Sequence, residues 1–162
     1  MQELYHGSNV LVSNPEIRAA RRTLDFGAGF YTTSSLEQAS RWARNKTDRE
    51  GCGVPTVSVF SVPDGYLSDP EYSIRHFEKA DEDWLDFVIA NRTDPNFTFP
   101  YDVVKGPVAN DRVFASLNAF EAGFIDKEAL LAKLRAWVYV DQILFHTHKS
   151  LNLLTFSKEI HL

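Results

Sequence analysis

The chain has 162 residues, of which 44% are hydrophobic and 24% are charged. This composition excludes long disorder, collagen and disulfide-scaffolded proteins, and the single cysteine, Cys52, cannot form an internal disulfide. The net charge of −5 disfavours a protein that coats nucleic acid generally. Residues 1–10 hold no charged-then-apolar leader, and no apolar run approaches the roughly 18 residues of a membrane span. We therefore expect a soluble, cytoplasmic protein that does not enter a membrane.

Taken in chain order, the pattern predicts one domain over residues 1–162 without internal repeats. Apolar alternation predicts strands at 3–6, 54–62, 101–104, 138–147 and 154–160, and residues 24–33 combine a glycine-punctuated loop with a short strand. Helical spacing predicts helices at 36–45, 81–91 and 126–137. Ser34 or Ser35 can cap the first helix, and its inward face is expected to hold Leu36, Ala39, Trp42 and Ala43. Short strands among helices, without regular alternation, favour an α+β fold with antiparallel sheets.

Three segments carry side chains suited to chemistry, at residues 4–8, 27–33 and 141–145. His6 is followed by Gly7, whose bare backbone can grip an amide group of a flat ligand. Tyr31 follows a Gly-x-Gly loop and can stack on an aromatic ring. Gln142 offers one amide with donor and acceptor capacity, which suits a sugar hydroxyl. Each element alone is also typical of a strand end, a tight loop or a solvated polar pair, so the prediction depends on their order and spacing.

Together these segments resemble the ADP-ribosyltransferase superfamily, in the branch with a His-Tyr-Glu type triad that includes diphtheria toxin and the poly(ADP-ribose) polymerases. More closely, residues 24–31, 38–42, 84–92, 101–114 and 142–147 resemble the bacterial DUF3990 family, which sits within that superfamily. Its genes often lie beside a small antitoxin-like gene. The resemblance implies an α+β fold of two packed antiparallel β-sheets with surrounding helices. It also implies an NAD-dependent mono-ADP-ribosyltransferase, the toxin of a toxin–antitoxin pair, with a protein or nucleic-acid acceptor and a small antitoxin protein as partners.

The resemblance also implies roles for individual residues. His6 would bind the adenosine ribose of NAD⁺, Gly7 would hold the nicotinamide carboxamide, and Tyr31 would stack on the nicotinamide ring. Gln142 takes the third position of the triad, so the expected catalytic residues are His6, Tyr31 and Gln142. The expected NAD-binding set is His6, Gly7, Ser8, Arg18, Gly27, Gly29, Tyr31, Thr32 and Asn110. Two of these residues also have ordinary interpretations. Arg18, with Arg21 and Arg22, can clamp a pyrophosphate or lie in a solvated loop, and Asn110 can contact substrate or cap a turn.

Gln142 departs from the commonest form of the triad, in which a glutamate supports the departure of nicotinamide. An amide carries no charge and cannot act as a general base. Mono-transfer, NAD⁺ hydrolysis and a catalytically silent NAD- or partner-binding module therefore all stay open. Asp141 is expected on the opposite face of its strand. His146 and His148 could share a strand face with His6, but no acid follows at a ligand spacing, so we expect no metal.

Overall fold

The computed structural model describes residues 1–19, 24–109 and 111–162. Within these ranges the chain forms seven β-strands and five α-helices. The strands are β1 (Gln2–Ser8), β2 (Phe30–Thr32), β3 (Thr56–Val62), β4 (Ile74–His76), β5 (Val103–Pro107), β6 (Asp141–Phe145) and β7 (Thr155–His161). The helices are α1 (Leu36–Glu50), α2 (Glu82–Thr93), α3 (Asp111–Glu121), α4 (Lys127–Arg135) and α5 (His148–Leu151), with a 3₁₀ turn at Tyr66–Ser68.

The strands form two sheets, in the orders β1-β3-β7 and β2-β6-β5-β4. The expected α+β class with two sheets is therefore confirmed. The expectation of purely antiparallel sheets is wrong at one edge, because β4 runs parallel to β5. This strand has only three residues, which carry too little alternation to be detected from the sequence.

The alternation of side chains along each strand divides the core into three apolar clusters. Ile143 and Phe145 of β6 face a cluster that also contains Leu4 and Phe60 of the three-stranded sheet, so this cluster lies between the two sheets. Leu144 faces the other way, into a larger cluster with residues of α2, α3 and α4. A small third cluster joins α1 to the outer face of the three-stranded sheet, through Ala39, Val57 and Val59.

Helix α1 begins and ends at positions that the local sequence explains. The Ser35 side chain accepts a hydrogen bond from the Gln38 N–H, and Gly51 ends the helix in the left-handed conformation, at φ 67°, with its N–H bonded to Thr47. The helix therefore runs beyond the predicted end at 45, because its last turns are polar and lack an apolar signal. Leu36, expected to face inward, is 41% exposed and is a wrong prediction, whereas Ala39 and Ala43 are buried.

Among the remaining helices and strands, the predictions are most accurate for the long elements with a clear apolar pattern. Helix α2 packs Trp84, Leu85 and Val88 into the core as expected, and its N-cap is Asp81. Helix α4, predicted at 126–137, follows its N-cap Asp126 and ends at Arg135. Strand β6 is shorter than the predicted 138–147. Strand β4, helix α3 and helix α5 were not predicted, because each is short or follows a segment interpreted as a turn.

Candidate functional site

The two sheets approach each other along the edge where β1 meets β2. One pair of hydrogen bonds joins them there, since the N–H of Tyr5 donates to Thr33 and the N–H of Thr33 donates to Tyr5, each at 2.9 Å. Beside this bridge lies a cleft of about 300 Å³, a volume at the lower end of small-molecule sites. It is lined by His6, Gly7, Leu24, Asp25, Tyr31, Trp42, Asn45, Lys46, Arg49, Val108, Ala109, Phe114 and Gln142.

His6 lies near the end of β1, with its ring held on two sides. Its Nδ1 donates to the carbonyl oxygen of Tyr31 at 2.7 Å, and its ring stacks on Phe30 with centroids 4.2 Å apart. Burial lowers the pKa of His6 to about 4, and the cations Lys46 and Arg18 act in the same direction, against the Tyr31 carbonyl. The ring is therefore neutral at pH 7, and because Nδ1 carries the proton, Nε2 is an acceptor.

Gly7 follows His6 and presents backbone rather than a side chain. The N–H and C=O of Tyr5 point to the β2 side of β1 and bond to Thr33. Backbone groups two residues apart in an antiparallel strand point to the same side, so the N–H and C=O of Gly7 also point to that side. No described backbone group of β2 bonds to them. A Cβ at Gly7 would lie 2.0 Å from the carbonyl oxygen of Ala39 in α1. The glycine is therefore required by the close crossing of α1 over β1, whatever it binds.

Tyr31 projects from β2 into the cleft and anchors the glycine loop before it. Its hydroxyl donates to the Gly27 carbonyl at 2.7 Å and accepts from the Phe26 N–H at 3.1 Å. Burial raises the pKa of Tyr31 well above its ordinary value, and the negative charge of Asp25 adds to the effect. The hydroxyl is thus occupied and un-ionised, so the ring face is what Tyr31 offers a ligand.

Gln142 lies on β6, on the same face as Tyr31, and is 4% exposed. Its Nε2 donates to Asp25 at 2.8 Å and to the Pro107 carbonyl at 3.2 Å. Burial raises the pKa of Asp25 to about 6, although the Ala109 N–H, Gln142 and Arg92 favour the charged form. The Asp25 carboxylate is therefore mostly ionised at pH 7.

Asp141 lies on the opposite face of β6, as predicted. Its carboxylate accepts a hydrogen bond from the Ser34 N–H at 2.9 Å, just before the start of α1. This acid is therefore engaged away from the cleft.

Helix α1 forms one wall of the cleft with residues at helical spacing. Trp42, Asn45, Lys46 and Arg49 fall at positions i, i+3, i+4 and i+7, so they share one face. In the part of the chain that the structure describes, neither Lys46 nor Arg49 forms an ion pair within 4 Å. This wall, which we call the α1 wall, therefore offers two cations and an aromatic ring to the cleft.

The structure brings four of the sequence-predicted residues, His6, Gly7, Tyr31 and Gln142, to one cleft. The other predicted residues that the structure describes do not line it. Ser8 and Thr32 are buried away from the cleft, and the Thr32 hydroxyl donates to the Ile143 carbonyl at 3.0 Å. Arg18 lies with His6 and Phe30 on a second hollow.

The two loop glycines do not line the cleft either. Gly27 has φ 79°, and a Cβ at Gly29 would lie 2.6 Å from the Phe145 carbonyl, so both shape the loop itself. Asn110, Arg21 and Arg22 lie outside the residues whose side chains the structure describes.

Sequence reasoning missed Asp25 and the α1 wall. Asp25 sits in an apolar segment between Leu24 and Phe26, and a lone acid there is a usable signal, since an acid is rarely fully buried without a partner. Lys46 and Arg49 were missed because the helix was ended too early. The i, i+4, i+7 spacing from Trp42 would have found them.

Metal binding and membrane insertion find no support in the described ranges. No three His, Cys, Asp or Glu side chains there are grouped so that they could hold a metal ion. His146 is instead bound through Nδ1 to the Ala28 carbonyl at 2.7 Å and packs on Phe99. No described helix combines the length and the apolar character needed to cross a bilayer.

Comparison with known proteins identifies a family. A profile of the family described as "Protein of unknown function (DUF3990)" matches residues 2–156. No curated protein matches the chain, and no solved structure matches it.

Proposed function

The chain belongs to the DUF3990 family, and we propose that its cleft binds NAD⁺ and transfers a single ADP-ribose group from it to a macromolecule. One observation carries this proposal. His6 of β1, Tyr31 of β2 and Gln142 of β6 come from three strands that are far apart in sequence, and all three line one cleft. Their order along the chain is the one that the resemblance to ADP-ribosyltransferases leads us to expect.

The reaction makes a defined demand on the protein. The bond between the nicotinamide nitrogen and C1′ of its ribose breaks, and the electron pair leaves with nicotinamide. Positive charge then develops on C1′ and the ring oxygen, as in other glycosyl transfers. A nucleophilic atom of the acceptor forms the new bond to C1′ and releases its proton to solvent. The protein must therefore hold the ribose and stabilise positive charge beside it.

The nicotinamide end fits the part of the cleft between Tyr31 and Gly7. The Tyr31 ring is fixed by its two hydroxyl contacts, so its face can stack on a flat ring without losing side-chain freedom. The open N–H and C=O of Gly7 match the C=O and NH₂ of a carboxamide. Both features support nicotinamide as the group bound there.

The sugars and the diphosphate fit the remaining surfaces. The Nε2 of neutral His6 can accept a hydrogen bond from a ribose hydroxyl, and Gln142 can contact the second ribose. Lys46 and Arg49 on the α1 wall supply the cations that a diphosphate needs, in place of Arg18, which lies on the second hollow. We therefore assign the α1 wall to the diphosphate and adenosine side.

The uncharged Gln142 favours two related alternatives. A site that cleaves NAD⁺ slowly and passes the ribose to water would give free ADP-ribose. A site that cannot cleave NAD⁺ would act as an NAD⁺-binding or partner-binding module. Both keep the same cleft and the same binding residues, and they differ from transfer only in the fate of the ADP-ribose, so one assay separates all three.

The experiment is incubation of the purified protein and a cell lysate with NAD⁺ carrying a radioactive adenylate phosphate. Nicotinamide release is followed beside label on the protein and nucleic-acid fractions. Label on either fraction supports transfer, free ADP-ribose alone supports hydrolysis, and NAD⁺ binding without turnover supports the silent module. No NAD⁺ binding in the folded protein would overturn the proposal.

The chain offers a matched control for this assay. His6 and His146 each donate through Nδ1 to a carbonyl oxygen at 2.7 Å and each pack on a phenylalanine at 4.2 Å. Only His6 of the two lines the cleft. We expect His6→Ala to abolish turnover and His146→Ala to keep it, with similar losses of thermal stability.

We include the toxin role in the proposal, on the strength of the family resemblance. Expression in a bacterium should slow growth, and a small protein that covers the cleft should relieve the effect. His6→Ala should remove the toxicity while the protein still accumulates. Normal growth with the active wild-type enzyme present would contradict this role.

A further inference from the structure

Asp25 is the one buried acid beside the cleft in the described part of the chain, and it is only 4% exposed. Its Oδ2 accepts hydrogen bonds from the Gln142 Nε2 at 2.8 Å and from the Ala109 N–H at 3.1 Å. Its Oδ1 is buried and has no hydrogen-bond partner among the described residues. A buried carboxylate with an unused oxygen is energetically costly, so its presence beside the cleft calls for a role.

The contacts of Gln142 fix which end of its amide faces the cleft. Both of its neighbours, the Asp25 carboxylate and the Pro107 carbonyl, can only accept hydrogen bonds. The reverse orientation would set the amide oxygen against these two oxygens. The nitrogen therefore uses both of its hydrogens inside the protein, and Oε1 is left for the cleft.

We propose that Asp25 is a positioning residue that acts through Gln142, holding its amide so that only Oε1, a hydrogen-bond acceptor, is presented to the ribose of NAD⁺. This inference rests on the proposed function. It explains how an amide can stand where the commonest triad of the superfamily that the sequence resembles has a glutamate. The glutamine supplies the acceptor, and Asp25 behind it supplies the charge.

The charge of Asp25 stabilises the positive charge that develops on the substrate in two ways. A carboxylate that accepts from Nε2 polarises the amide, which increases the negative charge on Oε1. The same carboxylate attracts the positive charge that develops at C1′, and this attraction is stronger in a buried site than in water. Because Oδ1 is buried and Oδ2 is engaged by two donors, the carboxylate acts without touching the substrate.

Asp25→Asn tests this role without changing the shape of the side chain. Asparagine can donate as well as accept, so Gln142 is no longer held in one orientation, and the negative charge is lost. We expect kcat for nicotinamide release to fall about 10- to 100-fold, less than for a lost donor in direct contact with the reacting atoms. KM for NAD⁺ should change less than about threefold, because the effect falls on the transition state.

A double variant returns the acid to the site. Asp25→Asn combined with Gln142→Glu moves the carboxylate to position 142, and the amide introduced at position 25 can donate to it. This double variant should have a higher kcat than Asp25→Asn because the negative charge returns, but a lower kcat than wild type because a carboxylate oxygen at position 142 would face the Pro107 carbonyl. A double variant as slow as Asp25→Asn alone would contradict a shared role of the two positions.

Asp102→Asn is the matched control. Asp102 also accepts two short hydrogen bonds, from the Ser73 N–H at 2.8 Å and the Thr147 hydroxyl at 2.7 Å, but it does not line the cleft. This variant should keep kcat within about twofold. Equal losses in Asp25→Asn and Asp102→Asn, or no loss in Asp25→Asn, would overturn the role of Asp25.

A spectroscopic measurement tests the pair even if the proposed function fails. The chain has three glutamines, Gln2, Gln38 and Gln142, so ¹⁵N-glutamine labelling marks three side-chain amide groups. The Gln142 signals should exchange slowly with water and should shift in Asp25→Asn, while those of Gln38 stay unchanged. Unshifted Gln142 signals would refute the positioning role. Shifted signals without NAD⁺ binding would refute the NAD⁺ site and retain Asp25 as the residue that orients Gln142.

Discussion

The Nε2 atom of Gln142 lies 2.8 Å from the Asp25 carboxylate, although 117 positions separate the two residues in the chain. Both residues line the cleft, in the company of Tyr31, Val108 and Ala109. A change of charge at either position therefore alters the electrostatic potential at the other residue and at any molecule bound in the cleft.

Asp25 should give the protein a measurable pH dependence of stability. Its pKa is about 6 in the folded chain against an ordinary value of 3.8, so the folded form binds the extra proton between these two values. The favourable contribution is complete below about pH 4 and is lost as the pH rises through about 6. We expect the free energy of unfolding of wild type, relative to Asp25→Asn, to fall by about 2 kcal/mol between pH 4 and pH 7.

Denaturant unfolding of both proteins at several pH values measures this difference. Using the difference removes the contributions of other groups that titrate in the same way in both chains. A difference that does not change with pH would show that the carboxyl is not held in a desolvated place.

His6 should produce the opposite slope in nearly the same interval. Its pKa falls from 6.5 to about 4 on folding, because burial disfavours the charged ring. The unfolded chain then binds more protons, so the stability of wild type relative to His6→Asn should rise by at most about 3 kcal/mol from pH 4 to pH 7. Asparagine can keep the hydrogen bond to the Tyr31 carbonyl. Unfolding by denaturant across this interval measures the slope, and equal pH profiles for the two proteins would contradict a neutral, desolvated His6.

Tyr31 should matter for its ring and not for its ionisation. Tyr31→Phe loses the hydroxyl bonds to Phe26 and Gly27 but keeps the ring. We expect a loss of about 1–2 kcal/mol of stability, with turnover of NAD⁺ within about tenfold of wild type, since the stacking face is kept. Tyr31→Ala should remove turnover entirely. A phenol ionisation in the pH profile of wild-type turnover that disappears in Tyr31→Phe, together with loss of turnover in the variant, would assign the hydroxyl a chemical role and refute this prediction.

The α1 wall should bind the diphosphate of NAD⁺. Lys46→Ala and Arg49→Ala should each weaken NAD⁺ binding about tenfold, or roughly 1.4 kcal/mol, since each removes one charged contact. Arg44→Ala on the same helix is the control, because Arg44 is exposed and does not line the cleft. Calorimetric titration with NAD⁺ measures the three affinities, and higher salt should reduce the difference between wild type and the two cleft variants. Equal affinity of all three variants for NAD⁺ would show that the diphosphate does not bind at the α1 wall.

Gly7 should be needed for folding before it is needed for binding. In Gly7→Ala, the new methyl group would meet backbone atoms of α1, the Ala39 oxygen at 2.0 Å and the Ala43 nitrogen at 2.9 Å. We expect a stability loss of about 3 kcal/mol or more, at the upper end of overpacking. Gly106→Ala is the milder comparison, because its methyl group would meet side-chain atoms of Phe26 and Phe77 at 3.1 Å. Thermal unfolding distinguishes the two, and equal melting temperatures would contradict the tight crossing.

The sequence predicts the elements whose pattern is strong and local. The apolar spacing of Trp84, Leu85 and Val88 identifies α2, and the apolar residues on both faces of β3 identify a central strand. The order of His6, Tyr31 and Gln142 indicates the candidate site before their proximity is known. In each case a few neighbouring residues contain the information.

The parts that could not be predicted depend on contacts between distant segments. Asp25 meets Gln142 only because β2 and β6 pair in one register, and neither residue carries a mark of that pairing in its neighbours. The α1 wall was missed because the last turns of α1 are polar and the helix ends only at Gly51. Strand β4 exists because β5 offers it an edge, so a three-residue segment has no signal of its own.

In the described ranges, one backbone bridge, between Tyr5 and Thr33, joins the two sheets beside the cleft. Within the described ranges, two backbone hydrogen bonds and the His6 bond to the Tyr31 carbonyl are the polar ties between β1 and residues 30–33. A molecule bound between β1 and β2 would weaken these contacts, whereas a molecule that binds both strands at once would strengthen them. The rate at which the Tyr5 and Thr33 amide hydrogens exchange with deuterium therefore reports whether the cleft is occupied. A ligand that contacts both sheets should slow this exchange, and a ligand that separates the two strands should accelerate it.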